Sequence, residues 1–165
     1  MFDSKTTFTS QYDVKTGDLN GSGLTVAVVL ATYNGEIATG LLDGCMQGLF
    51  SCQLAQADIS IYSVDGCVEI PVVAQGLIKK NVFDVVICLG AVIKGESAHF
   101  EYVCDMVSQG ISSLSLTYNI PVIFGVLTVL TYDQAIQRIQ KNESNKGFEA
   151  ALTAVKTVRL MQQIS

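Results

Sequence analysis

The chain has 165 residues, of which 49% are hydrophobic and 15% charged, and its formal net charge is −5. That length suffices for one domain with its own core. Such an apolar composition indicates either a membrane protein or a chain that buries surface in a homo-oligomer. No segment reaches the roughly 18 uninterrupted apolar residues of a membrane-spanning helix, so we expect an oligomer and no membrane partner. The acidic charge argues against nucleic acid as the main partner.

The five cysteines show no spacing typical of a metal site, because no Cys-x-x-Cys pair is present and the chain has one histidine. Four of the cysteines lie within apolar stretches, where buried and chemically inert thiols are common. The first residues lack the charged and apolar regions of a signal peptide, and we therefore expect a cytoplasmic protein.

Residues 1–22 are polar and are predicted to form an N-terminal arm, in which residues 6–14 could add a short strand. The domain proper is expected to span residues 23–165. β-Branched runs without polar alternation, typical of strands covered on both faces, are found at 24–31, 58–64, 84–89 and 120–127. Helical spacing of apolar residues, or a helix-start signal, is found at 35–53, 70–80, 98–118, 131–140 and 146–163.

This alternation of strand and helix predicts a single-domain, three-layer α/β fold, in which a four-stranded parallel sheet is flanked by helices on both faces. In such a sheet, ligands bind beyond the carboxyl ends of the strands. The loops that follow the strands are therefore the candidate site, and they are rich in glycine and polar residues. These loops span residues 32–35, 65–69, 90–99 and 125–131.

The third of these loops contains residues suited to both anion binding and proton transfer. Gly95, Glu96 and Ser97 precede a predicted helix start, whose unpaired N–H groups and positive dipole end favour an anion such as phosphate. His99 follows, and a histidine can accept and donate protons near physiological pH, which suits general acid–base catalysis. Two alternatives stay open: Ser97 could simply cap the helix, and a lone histidine could be structural. The phosphate-binding motifs of nucleotide-binding folds are absent.

Other loop residues fit a ligand that has a flat ring and hydroxyl groups. Tyr33 could stack on the ring and Asn34 could hydrogen-bond to it, although this pair also fits a turn with a left-handed asparagine. Glu69 could accept hydrogen bonds from hydroxyl groups, or could be an acid favoured by the start of a helix. Arg138 and Lys146 could be solvated cations, unless oligomer packing brings them to the anion site of a neighbour.

Taken together, the loop sequences resemble the motifs of a known family. Residues 33–37, Tyr-Asn-Gly-Glu-Ile, resemble Phe-Asn-x-x-Ile, and residues 66–71, Gly-Cys-Val-Glu-Ile-Pro, resemble Gly-(Ala/Ser)-Phe-Glu-Ile-Pro. Residues 89–103 closely resemble Leu-Gly-x-Val-Ile-Arg-Gly-x-Thr-x-His-Phe-(Asp/Glu)-Tyr-Val. Further matches are found at residues 121–128, 133–138 and 145–151. The family is 6,7-dimethyl-8-ribityllumazine synthase, and the resemblance extends from about residue 23 to the C-terminus.

The resemblance implies a flavodoxin-like fold and an enzyme of riboflavin biosynthesis that uses no metal or organic cofactor. The implied reaction joins 5-amino-6-(D-ribitylamino)uracil to 3,4-dihydroxy-2-butanone 4-phosphate. Its products are 6,7-dimethyl-8-ribityllumazine, phosphate and water. Proton transfer is assigned by the resemblance to His99. Phosphate binding is assigned to Gly95, Glu96, Ser97 and Arg138.

A larger set of residues is implied to bind the ribitylaminouracil. Tyr33 would stack on the pyrimidine ring, the segment around Glu69 would line the ribityl chain, and backbone groups at the end of the third strand would contact the pyrimidine. The set comprises Tyr33, Asn34, Cys67, Val68, Glu69, Ala91, Val92, Ile93, Phe124 and Lys146.

The family resemblance also implies an assembly. Family members are pentamers, some of which assemble further, and Phe124, Arg138 and Lys146 are expected to come from the neighbouring subunit. An isolated monomer is then expected to be inactive. Riboflavin synthase is a further candidate partner.

Three departures from the family pattern keep alternatives open. Tyr33 replaces phenylalanine, Asp65 stands where proline is common, and Val68 stands where phenylalanine is common. The last two could loosen the ribityl side of the pocket. The alternatives are the related archaeal-type riboflavin synthase, and a non-catalytic flavin- or lumazine-binding protein of the same fold.

Overall fold

The structure, a computed structural model, describes residues 13–165. Residues 6–12 of the short strand predicted at 6–14 lie outside the described residues, and residues 13 and 14 are not part of a strand. From residue 16 onward the arm lies along the last helix of the chain. Arg159 there donates to the carbonyl oxygens of Asn20 at 2.6 Å and Ser22 at 2.9 Å, and Gln163 donates to that of Thr16 at 3.0 Å.

The centre of the molecule is a four-stranded sheet in which every strand pair is parallel. The strands are β1 (Val26–Ala31), β2 (Ile59–Val64), β3 (Val85–Ile93) and β4 (Val122–Val129). Their order across the sheet is β2-β1-β3-β4, so β2 lies on one side of β1, and β3 and β4 lie on the other. This arrangement confirms the predicted three-layer α/β fold with helices on both faces, consistent with a flavodoxin-like sheet.

Five helices cover the two faces of the sheet. They are α1 (Gly35–Ser51), α2 (Ile70–Ile78), α3 (His99–Tyr118), α4 (Tyr132–Gln137) and α5 (Lys146–Ile164). Two short 3₁₀ turns, Gln56–Asp58 and Cys67–Glu69, precede β2 and α2. Helices α1, α4 and α5 pack on one face, and α2 and α3 on the other.

The strands are apolar throughout because both of their faces are covered. In β1, Val28 faces the α1/α5 layer and Val29 the α2/α3 layer, and all of the strand's residues are buried. In β3, Ile87 faces the α1/α5 layer and Cys88 the α2/α3 layer. Side chains alternate between the faces of a strand, so a continuous apolar run predicts a strand buried on both sides.

Two strands end later than predicted, which corrects the loops that follow them. Strand β3 continues through Ile93 rather than ending at residue 89, and β4 continues to Val129 rather than ending at 127. Gly90, interpreted from the sequence as part of a turn, is a strand residue that pairs with Val126. A Cβ at Gly90 would lie 2.7 Å from the Cys67 sulfur, so the glycine is required for close packing there.

The described surface carries several large apolar side chains, including Tyr102, Met106 and Leu116 on α3 and Phe124 on β4. Leu116 is 83% exposed and Tyr102 69% exposed. From Met106 to Tyr118, helix α3 has no charged residue. Within residues 13–165, no helix combines the length and apolar character needed to cross a membrane.

Candidate active site

The loop after β1 lies between its two neighbouring strands at the carboxyl edge of the sheet. The Thr32 N–H donates to the carbonyl oxygen of Val64, at the end of β2, at 3.0 Å. On the other side, the Asn34 side-chain amide donates to the carbonyl oxygen of Ala91 in β3 at 3.1 Å. The structure therefore brings Asn34 and Ala91 into direct contact.

Tyr33 stands at the tip of this loop with 86% of its surface exposed. Its ring is open to stack on a flat ligand. The alternative of a left-handed asparagine turn is wrong, because φ of Asn34 is −99°. Asn34 precedes α1 without a side-chain capping bond, since its amide reaches across to β3 instead.

Glu69 holds the turn before α2 with one of its two carboxylate oxygens. One carboxylate oxygen, Oε2, accepts a hydrogen bond from the Gly66 N–H at 3.0 Å, which holds the short turn before α2. The other oxygen makes no hydrogen bond to the described residues, and the side chain is exposed. Glu69 can therefore hold the loop and still accept a hydrogen bond from a ligand hydroxyl.

Cys67 in the same turn is buried, and its sulfur contacts the backbone of β3 at Gly90. Burial raises the pKa of the Cys67 thiol to about 11, so the thiol stays protonated at neutral pH. A protonated, enclosed thiol is a poor nucleophile. Cys67 is therefore a packing residue of this turn, and Val68 beside it is half-buried.

The loop after β3 is shorter than predicted and leads directly into α3. The Lys94 N–H donates to the carbonyl oxygen of Val129 at 2.9 Å, residues 95–98 are exposed, and α3 begins at His99. The residue at the helix cap is Ala98, which has no side chain to bond the free N–H groups. Ser97 accepts from the His99 N–H at 3.4 Å, which is a long bond, so Ser97 caps the helix weakly.

An ion pair that no sequence pattern predicted joins the ends of this loop. The ammonium of Lys94 lies 2.7 Å from the Glu101 carboxylate and 5.8 Å from the centre of the Phe100 ring. The hydrogen bond from Lys94 lowers the pKa of Glu101. The lysine that begins the loop is thus fastened to the first turn of α3, with His99 between the two partners along the chain.

Phe124, Arg138 and Lys146 form a second group elsewhere in the chain. Phe124 pairs with Cys88 in β3, whereas Ala91 pairs with Leu127. Phe124 therefore lies three residues, or about 10 Å along the strand, before the position opposite Ala91. It is 43% exposed on the edge strand β4. Phe124 and Lys146 both line an open cavity of about 850 Å³ between β4 and α5.

Arg138 and Lys146 lie at the two ends of the loop that connects α4 to α5. The Lys146 N–H donates to the Arg138 carbonyl oxygen at 2.8 Å, and the Lys146 ammonium pairs with the Glu149 carboxylate at 2.6 Å. The Arg138 guanidinium donates to the carbonyl oxygen of Gln134 at 2.8 Å. No hydrogen bond or ion pair among the described residues connects either cation to the loop at 94–98.

Comparison with known protein families gives a match that agrees with this arrangement. The family described as 6,7-dimethyl-8-ribityllumazine synthase matches residues 23–162. The chain belongs to this family. Its members are transferase-type enzymes of riboflavin biosynthesis that act on small molecules. The resemblance found in the loop motifs is thereby confirmed.

Two further contacts near the candidate site residues of this lumazine synthase-type chain were not predicted from the sequence. The Tyr132 hydroxyl hydrogen-bonds to the Glu36 carboxylate, which joins the start of α4 to the start of α1 and raises the pKa of Tyr132. Glu149 pairs with Lys146, and a spacing of three residues on a helix could have indicated that pair. The Tyr132 contact spans 96 positions and has no local signal. Between residues 13 and 165, no cluster of three or more His, Cys, Asp and Glu is placed to hold a metal ion.

Proposed function

We propose that the chain condenses 5-amino-6-(D-ribitylamino)uracil with 3,4-dihydroxy-2-butanone 4-phosphate, giving 6,7-dimethyl-8-ribityllumazine, phosphate and water. Membership in the lumazine synthase family supports the reaction class. The observation that carries the proposal is the order of three adjacent strands, β2-β1-β3. The segments that follow them contain Glu69, Tyr33 and His99, so the three side chains belong to one edge of the sheet.

On the uracil side, Tyr33 stacks on the pyrimidine ring and the Asn34 segment holds the loop against β3. Backbone groups of Ala91, Val92 and Ile93 hydrogen-bond to the ring. Cys67 and Val68 line the ribityl chain, and the unengaged oxygen of Glu69 accepts hydrogen bonds from its hydroxyls. The assignment is supported by the exposure of the Tyr33 ring and by the bond from Asn34 to Ala91.

On the phosphate side, the loop of Gly95, Glu96 and Ser97 presents the free N–H groups at the start of α3 to the phosphate. His99, the first residue of that helix, transfers protons while the amine adds to the ketone, water leaves, phosphate is eliminated and the ring closes with loss of a second water. Much of the rate comes from holding the two substrates together in reacting geometry.

The site is completed by Phe124, Arg138 and Lys146 from a neighbouring subunit, with Arg138 on the phosphate, in a homopentamer. These residues lie in the α1/α5 layer or on the exposed edge strand, whereas the His99 loop leads into the α2/α3 layer. The part of α3 from Met106 to Tyr118 has no charged residue and exposes apolar side chains, which supports self-association, since charged residues are depleted at the cores of interfaces.

The test is to mix the protein with both substrates and follow lumazine absorbance and phosphate release. We expect lumazine and phosphate in equal amounts at a rate well above the spontaneous reaction; no increase would exclude the proposed function. A second reaction with lumazine as the sole substrate tests the riboflavin synthase alternative, which would produce riboflavin. Lumazine binding without either product would indicate a non-catalytic binding protein.

A further inference from the structure

Asn145, at the start of α5, is the one buried polar residue between residues 13 and 165, with 3% of its surface exposed. Its Oδ1 accepts from the N–H groups of Gly147 at 2.8 Å and Phe148 at 3.3 Å, which caps the helix. Its Nδ2 donates to the carbonyl oxygen of Gly40 in α1 at 3.0 Å. Capping needs the oxygen alone. The amide nitrogen therefore has a separate role, which is to join α5 to α1.

Two glycines allow this joint to form with the helix backbones in direct contact. A Cβ at Gly44 would lie 2.1 Å from the Asn145 Oδ1, and a Cβ at Gly147 would lie 1.9 Å from the Leu41 carbonyl oxygen. Either distance is far inside van der Waals contact, so a larger residue would force the helices apart. Packing and three hydrogen bonds thus hold Asn145 in a single position.

The two cations of the second group are attached to this joint. Lys146 follows Asn145 in the chain, and its N–H donates to the Arg138 carbonyl oxygen at 2.8 Å. Arg138 directly follows α4, so this bond connects the end of α4 to the start of α5. A shift of the Asn145 backbone would move Lys146 and, through that hydrogen bond, Arg138.

We propose that Asn145 is a positioning residue that sets the place of Arg138 and Lys146 at the neighbour's site. This inference rests on the proposed function of those two residues. Asn145 is buried, so it acts without touching the substrate. Its effect on the reaction passes through the two cations, since they are the groups that its hydrogen bonds hold in register with α1.

The test uses Asn145→Asp, which keeps the capping oxygen and loses the donor to Gly40. We expect the KM for the butanone phosphate to rise about tenfold, with a smaller change in kcat, because a misplaced binding group weakens binding of the group it contacts. Inorganic phosphate, titrated by calorimetry, should lose affinity to a similar extent. Asn145→Ser, whose shorter side chain caps without reaching Gly40, gives the same comparison if the aspartate variant does not fold.

A matched control is Asp84→Ala, at the opposite end of the sheet. Asp84 accepts hydrogen bonds from the Thr25 N–H at 2.7 Å and the Thr25 hydroxyl at 3.0 Å, so its loss also removes links between elements. The control should lower the melting temperature and leave the KM unchanged. A control that raises the KM as much as Asn145→Asp would show that general destabilisation is the cause, and would overturn the inference.

The decisive comparison repeats Asn145→Asp in an Arg138→Ala background. If Asn145 acts through Arg138, Asn145→Asp should change the KM for the butanone phosphate by less than about twofold in the Arg138→Ala background. A full effect in that background, or no effect in the wild-type background, would overturn the inference. Wild-type protein that forms no lumazine would refute the proposed function, whereas active wild type with unaffected variants would refute the positioning role alone.

Discussion

The candidate site residues of the two helix layers differ in how tightly their surroundings are packed. In the α2/α3 layer, residues 95–98 are exposed and a Cβ at Gly95 would meet nothing within 4 Å. In the α1/α5 layer, Asn145 is buried and Gly147 touches the backbone of α1. The first region has room for a ligand and for proton movement. The second is tightly packed, which suits groups that must keep their place in the proposed site between subunits.

The largest effect should come from His99 in the open region. We expect His99→Ala to lower kcat about 100-fold while both KM values stay near wild type, because proton transfer is lost and binding groups remain. Steady-state kinetics with each substrate varied would measure this. Lys80→Ala, at an exposed position after α2, is the control and should leave kcat unchanged. An unchanged kcat in His99→Ala would make the histidine structural.

Arg138 tests the tightly packed region. We expect Arg138→Ala to raise the KM for the butanone phosphate tenfold or more, because a hydrogen bond to a charged group contributes about 1.5–3 kcal/mol. Lys141→Ala, an exposed cation in the same loop, should leave that KM unchanged. Equal effects of the two substitutions would show that general positive charge, rather than Arg138 itself, attracts the substrate.

Mixing the two inactive variants tests whether the regions meet between subunits. When His99→Ala and Arg138→Ala chains are unfolded and reassembled together, about a quarter of the sites in a cyclic assembly should contain both intact residues. Activity should therefore reappear on mixing. If both residues acted within one chain, no intact site could form and the mixture would stay as inactive as its components.

The contrast in packing predicts a difference in stability between two glycine substitutions. Gly147→Ala places a methyl group against the Leu41 carbonyl oxygen and should reduce the free energy of unfolding by about 1–3 kcal/mol. Gly95→Ala meets open space and should change it by less than about 0.5 kcal/mol. Denaturant unfolding measures both. Equal losses would mean that the loop at 94–98 is as tightly packed as the α1/α5 contact.

The smallest effect should come from the ion pair between Lys94 and Glu101, since both side chains are about half exposed. The pair lowers the pKa of Glu101 in the folded state, so its stabilisation is present above the unfolded pKa of a glutamate. This stabilisation is lost as the pH falls through the lowered pKa of Glu101 in the folded state. Melting temperatures of wild type and Glu101→Gln should therefore differ slightly at pH 7 and converge in acid. A difference that persisted in acid would have another cause.

Most of the fold could be predicted from the sequence, because strands buried on both faces are continuously apolar and the helices between them show regular apolar spacing. The errors were at strand ends. Gly90 indicated a turn, whereas in the structure it is a strand residue whose missing Cβ makes room for Cys67. That contact joins positions 23 residues apart in the chain, and no local pattern reports it.

By itself, the sequence determined the three-layer architecture, the family, and the residue types in the loops after the strands, because these depend on local periodicity and on motifs. The tertiary structure decided which candidates share a region. It placed Asn34 against Ala91, attached Lys94 to Glu101, and joined Lys146 to Arg138 by a backbone hydrogen bond. It also identified Asn145 as the joint between α1 and α5. Burial and contacts between distant segments depend on how the layers pack, which local sequence does not encode.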